Sequence, residues 1–129
     1  MDFVTFEIAK KLKENGFDYP CISHYDINKE LKVAMREPIF WHSDVLSYTD
    51  APTISQVMKW LREEKKIYVG ISYMPKIISE EGVMDDFYYP TFQKIDLFEP
   101  MFFIGGDDNY STYEEAVLAG IEYVLDNLI

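Results

Sequence analysis

Residues 52–73 constrain the fold of this 129-residue chain more than any other stretch. Pro52-Thr53-Ile54-Ser55-Gln56 has the form of a capping box. The Thr53 hydroxyl is placed to accept from the amide three residues on, while the Gln56 side chain reaches back to the amide of Thr53. Ile54, Val57, Met58 and Leu61 follow at helical spacing, with Lys59 and Glu63 paired on the wet side. At Lys65-Lys66, suited to the negative end of a helix dipole, the hydrophobic period changes from helical to alternating. Ile67, Val69, Ile71 and Tyr73 then share one face of a strand. A capped helix that passes directly into a strand implies a mixed class.

The remaining segments extend the same alternation of elements. Val4, Ile8, Ala9 and Leu12 recur at helical spacing, and Asn15-Gly16 supplies a left-handed stop with Phe17 placed to pack back on Leu12. Cys21–Tyr25 and Leu31–Arg36 read as a hairpin around the turn residues Asp26–Glu30. Residues 37–52 show no period and carry Phe40, Trp41 and Tyr48, the profile of a long functional loop. A polar turn at Glu80-Glu81-Gly82 leads into a long strand from Phe87 to Phe98, with a break expected near Pro90, and Met101–Ile104 forms a short fifth strand. Ser111 and Glu114 make a second capping box, after which Tyr113, Val117, Gly120, Ile121, Val124 and Leu128 trace one face of a last helix. The order is α-β-β-α-β-β-α. It predicts a single α+β domain over residues 1–129, with an antiparallel sheet of about four strands and helices on one face.

Composition bounds the function. A 48% hydrophobic, 16% aromatic chain can bury a core without disulfides, and aromatic richness argues against disorder. The formal charge of −11 excludes a general phosphate-backbone binder, so no direct nucleic-acid binding is expected. The opening residues lack a basic leader before an apolar run, and the apolar stretches are far shorter than the roughly 20 residues that span a bilayer. The single cysteine, Cys21, cannot form an internal disulfide. Together these features predict a cytoplasmic protein with no membrane association.

Few residue groupings carry chemistry. Cys21, His24, His42 and Asp44 supply one soft ligand where a closed zinc site takes four ligands in short pairs. In a strand, Cys21 and His24 also point to opposite faces. Cys21 as a nucleophile with a His base has no local signature. Asp107, Asn109 and Ser111 imitate the start of a calcium loop, but Thr112 and Leu118 stand where such a loop needs Gly and a bidentate Glu. Gly105-Gly106-Asp107-Asp108 shares only two glycines and one acid with the GGDEF signature. No phosphate-cradling loop or Ser-centred elbow is present. The expectation is no catalytic residue, no metal and no cofactor; the enzymatic alternative is a cleft using His24, His42 and Asp44.

Charge distribution is more informative. Residues 1–76 balance 11 bases with 11 acids, whereas residues 77–129 hold one base, Lys94, and 12 acids. On the last helix Glu115, Glu122 and Asp126 fall within about 20° of a common line, opposite Val117 and Val124. A solvated face that aids solubility accounts for such acidity. The sharper reading is a docking surface for a basic protein, formed by Glu115, Glu122 and Asp126 with Phe40, Trp41 and Tyr48 as aromatic anchors. Mimicry of a nucleic-acid phosphate array that occupies a basic partner is a variant of it. Oligomeric state is left open.

The stretches APTISQVMKWLREEKKIYVGI and YSTYEEAVLAGIEYVLDNLI, with an opening helix that stops at ENGF, resemble a group of small uncharacterised intracellular proteins of anaerobic gut bacteria and their prophages. That resemblance implies an intracellular accessory protein of phage or mobile-element derivation and transfers no activity and no site residue. The closing pair of strands and capped helix is also similar to the partial nuclease-like fold of HicB-type antitoxins, which implies an antitoxin-like regulator as an alternative.

Overall fold

Helix α1 (Phe6–Glu14) begins where the Thr5 hydroxyl accepts from the amide of Ile8 at 3.3 Å. The computed structural model describes residues 2–33, 49–94 and 109–129, and the backbone of 101–104. Helix α1 buries Ile8, Ala9 and Leu12 of the expected stripe, and Val4, which the sequence reading placed in the helix, is buried just before the N-cap. It ends in a Schellman arrangement: Gly16, at φ 82°, donates to Lys13 O and Phe17 to Leu12 O at 3.0 Å. A side chain on residue 16 would be strained at that φ, so Asn15-Gly16 is a stop for a stated steric reason.

The described residues gather into two compact units, Met1–Trp60 and Leu61–Ile129, with the division falling inside helix α2 (Ile54–Glu64). In the first, strands β1 (Ser23–Tyr25), β2 (Leu31–Val33) and β3 (Thr49–Asp50) form an antiparallel sheet in the order β2-β1-β3. The hairpin turn between β1 and β2 is fastened by Asp26, whose Oδ1 accepts from the amides of Asn28 and Glu30 at 2.8 and 3.0 Å. Those amide bonds hold its carboxyl below the usual range. The sheet is tied to the start of α1 by the Tyr25 hydroxyl, which donates to Val4 O at 2.6 Å.

The capping box at the start of α2 forms as the sequence predicts. Thr53 N–H donates to Gln56 Oε1 at 2.9 Å and Gln56 N–H to Thr53 Oγ1 at 3.2 Å. Gln56 Nε2 also donates to Pro20 O at 2.8 Å, so the cap doubles as a tie to the segment that leads into β1. The buried stripe of α2 differs from the expected one. Val57 and Leu61 are buried with Trp60, while Ile54 and Met58 are only half-buried. Trp60 meets the Phe17 ring edge-on at 5.4 Å.

The second unit is built on a long antiparallel ribbon. Strand β4 (Ile67–Met74) pairs with β7 (Phe87–Lys94), and beyond them β5 (Ile77–Ser79) pairs with β6 (Gly82–Met84). Met74 stands opposite Phe87 and Ile77 opposite Met84, so the same number of residues intervenes on each side and one register runs through the ribbon. Strand β8 (Met101–Ile104) adds to β7, giving the order β4-β7-β8. Helix α3 (Tyr113–Asn127) packs on β4 and β7. Its approach is close at Gly120, where a Cβ would lie 3.0 Å from Pro90 Cβ and 3.2 Å from Val69 Cγ1.

The class is α+β with antiparallel pairing throughout, as expected. The strands are distributed over small sheets instead of one sheet of about four, and three were not foreseen. Strand β3 is two residues long, too short to show a period. Ile77-Ile78 and Val83-Met84 flank the acidic turn without polar alternation, so β5 and β6 read as part of it. The expected break at Pro90 does not occur. Tyr88 exchanges both backbone bonds with Tyr110, at 2.7 and 2.9 Å, on the side of β7 away from β4. Residues two apart direct their backbone groups to the same side, so the N–H that Pro90 lacks would face that edge as well, short of the Thr91–Lys94 segment that β8 covers.

Candidate interaction surface

Glu115, Glu122 and Asp126 occupy one continuous helix, on the stripe opposite the buried Val117 and Val124. Glu115 and Asp126 are exposed and Glu122 is half-buried. The cap lies one residue later than the sequence reading placed it. Thr112 is the N-cap, its Oγ1 accepting from Glu115 N–H at 3.2 Å, and Ser111 Oγ donates to Glu115 Oε2 at 3.4 Å. The run Ser111-Thr112-Tyr113-Glu114-Glu115 contains the capping pattern in two registers. The first turn of α3 thus engages Glu115 locally, where a negative charge also favours the helix dipole. Phe40, Trp41, Tyr48, His42 and Asp44 lie outside the described residues.

Cys21 and His24 do not converge on one chemistry. Cys21 is fully buried and its thiol approaches Tyr19 O at 3.3 Å. Burial, with the nearby charge of Asp50 adding to it, pushes that thiol up to about 12. Burial thus favours the protonated thiol over the nucleophilic thiolate. His24 stands opposite Lys32 on one side and Asp50 on the other. Among the described residues no three His, Cys, Asp or Glu side chains come close enough to hold a metal ion. We expect native protein at pH 8 to resist iodoacetamide at Cys21 and urea-unfolded protein to react, as read by intact mass. Because the folded thiol titrates well above the ordinary 9.0, native protein should still resist labelling at pH 9.5, where most unfolded thiols are ionised.

The surface that sequence reasoning missed is the tip of the ribbon. Ile77, Ile78, Val83 and Met84 are all exposed, Ile78 to 75% and Val83 to 61%. Neighbouring residues of a strand point to opposite faces, so Ile77 with Met84 line one face and Ile78 with Val83 the other. A two-stranded hairpin standing alone is marginal in water, and apolar side chains on both of its faces are unusual for a surface element. Around them stand Glu80, Glu81, Asp85 and Asp86, all exposed. Lys76 is the sole base in sequence between Lys66 and Lys94. The available signal was the pairing of Ile-Ile and Val-Met about two acids and a glycine, a hairpin pattern with apolar arms.

At the base of this arm three tyrosines meet. Tyr73 and Tyr88 are cross-strand partners with ring centroids 5.0 Å apart, and Tyr113 approaches Tyr88 edge-on at 6.2 Å. Tyr73 and Tyr113 remain 50% and 52% exposed. The Tyr73 hydroxyl donates to Asp86 Oδ2 at 2.9 Å, and this bond to a carboxylate pushes the phenol up from its ordinary value.

Comparison with family models, with curated proteins and with solved structures gives no match. Among the described residues no helix is long and apolar enough to cross a membrane.

Proposed function

We propose that this chain is a non-enzymatic interaction module that docks on a basic protein through the arm formed by β5 and β6. The observation that carries the reading is the arm itself, four exposed apolar side chains ringed by four carboxylates. Protein interfaces combine an apolar centre with a polar rim, and charge at the rim steers the encounter and selects the partner. Here the rim carries four carboxylates against the single base Lys76. A second copy would set carboxylates against carboxylates, and the anionic surface of a membrane would repel them in the same way. A partner with lysine or arginine around an apolar patch meets both demands. The acids of α3 extend the same negative field across the second unit.

The test is affinity capture from the native cell with wild type and with the double variant Ile78→Ser/Val83→Ser, which removes the two most exposed apolar side chains of the arm and leaves every charge in place. Basic proteins retained by wild type should be absent from the variant, and high salt should weaken retention, since rim electrostatics are screened within about 10 Å at 0.1 M. An identical set of captured proteins from both forms would overturn the proposal.

A further inference from the structure

We infer that Tyr73, Tyr88 and Tyr113, with the carboxylate of Asp86, form a subsite that takes an arginine side chain of the docking partner. This rests on the docking reading above and names the chemistry at its centre. Tyr73 and Tyr88 lie side by side on the ribbon, Tyr113 closes on Tyr88 from the first turn of α3, and two of the three rings keep half their surface in solvent.

Aromatic faces are electron-rich and attract a cation placed over them within about 6 Å. The chain already uses such a contact, since Lys29 Nζ lies 5.1 Å from the centroid of the Phe6 ring. At the tyrosine group a carboxylate is added. The hydrogen bond from Tyr73 fixes Asp86 beside the ring, so a guanidinium lying on the tyrosine face has an acceptor at its edge. Arginine suits this pairing better than lysine. Its planar group stacks on rings and presents a rigid fork to a carboxylate, whereas an ammonium is a compact, strongly hydrated point charge. Asp85, next to Asp86 in sequence, supplies further negative potential, and Lys76 is the one positive side chain on the arm.

Two dye-labelled octapeptides provide the test, one alternating arginine with valine and the other lysine with valine, titrated by fluorescence anisotropy against the full chain. Wild type should bind the arginine peptide about tenfold more tightly than the lysine peptide. Tyr73→Leu should bring the arginine peptide to the level of the lysine one, and Tyr73→Phe, which keeps the ring but releases Asp86, should retain only part of the preference. Tyr113→Leu, at an exposed helix start, provides a second variant should Tyr73→Leu fail to fold by circular dichroism. Equal affinities in wild type, or a preference that survives both leucine variants, would overturn the subsite while leaving the docking reading in place. Failure of both peptides to bind wild type would overturn both. Ile78→Ser/Val83→Ser should weaken the two peptides alike, which separates the arm's contribution from that of the tyrosines.

Discussion

Phe92→Ala is expected to lower the free energy of unfolding by about 3–5 kcal/mol, the range found for deleting a buried aromatic ring. Phe92 is fully buried in β7, the middle strand of its sheet, opposite Val69 of β4, and its ring stacks on Tyr123 of α3 at 5.1 Å with 26° between planes. The upper part of the range applies when the surroundings cannot close on the cavity. Here α3 is already in contact with the sheet at Gly120, so the helix has no room to settle there. Urea denaturation followed by far-ultraviolet circular dichroism measures the loss. Phe92→Leu, which keeps much of the volume, should recover more than half of it. A loss below about 1 kcal/mol in the alanine variant would contradict the placement of this ring at the centre of the second unit.

The same packing shows which parts of the fold were legible in the sequence. Local devices were readable because a few adjacent residues decide them. The stop at Asn15-Gly16 needs only a residue that tolerates positive φ, and the cap at Thr53 needs only a hydroxyl and an amide three residues apart. The alternation of Ile67, Val69 and Ile71 likewise announced the face that meets α3. Tertiary facts were less legible. The tie from Gln56 to Pro20 joins residues 36 apart, and nothing in either segment signals the other. Strand pairing that depends on length, as in β3, or on the continuation of a register past an interruption, as in β5 and β6, leaves no period to read. Pro90 is instructive because the rule that proline interrupts a strand is sound, yet its force depends on which edge the missing N–H would face. For the candidate surface, the charge count pointed to the second unit as the acidic one. It did not reveal that apolar side chains project among those acids, because exposure is a property of the folded chain.

Trp60→Ala should cost the first unit about as much as Phe92→Ala costs the second, again about 3–5 kcal/mol. The helical stripe read from sequence passed over Trp60 in favour of Ile54 and Met58, whereas in the structure Trp60 is buried and meets Phe17 edge-on at 5.4 Å. Phe17 is itself held in place by the Schellman bond from its amide to Leu12 O, so the end of α1 delivers one ring to the other. The contact therefore joins a local device, the Asn15-Gly16 stop, to the packing of α2. A double-mutant cycle with Phe17→Leu and Trp60→Leu isolates the ring pair, for which a coupling of about 0.5–1.5 kcal/mol is expected beyond area burial. Gly16→Val provides the complementary probe. It strains the left-handed position without touching either ring, and its effect should be smaller in the Trp60→Leu background, because a misplaced Phe17 then has less to lose. Strict additivity in both cycles would mean that the helix stop and the tryptophan contribute to stability independently, contrary to this account of how the first unit is held together.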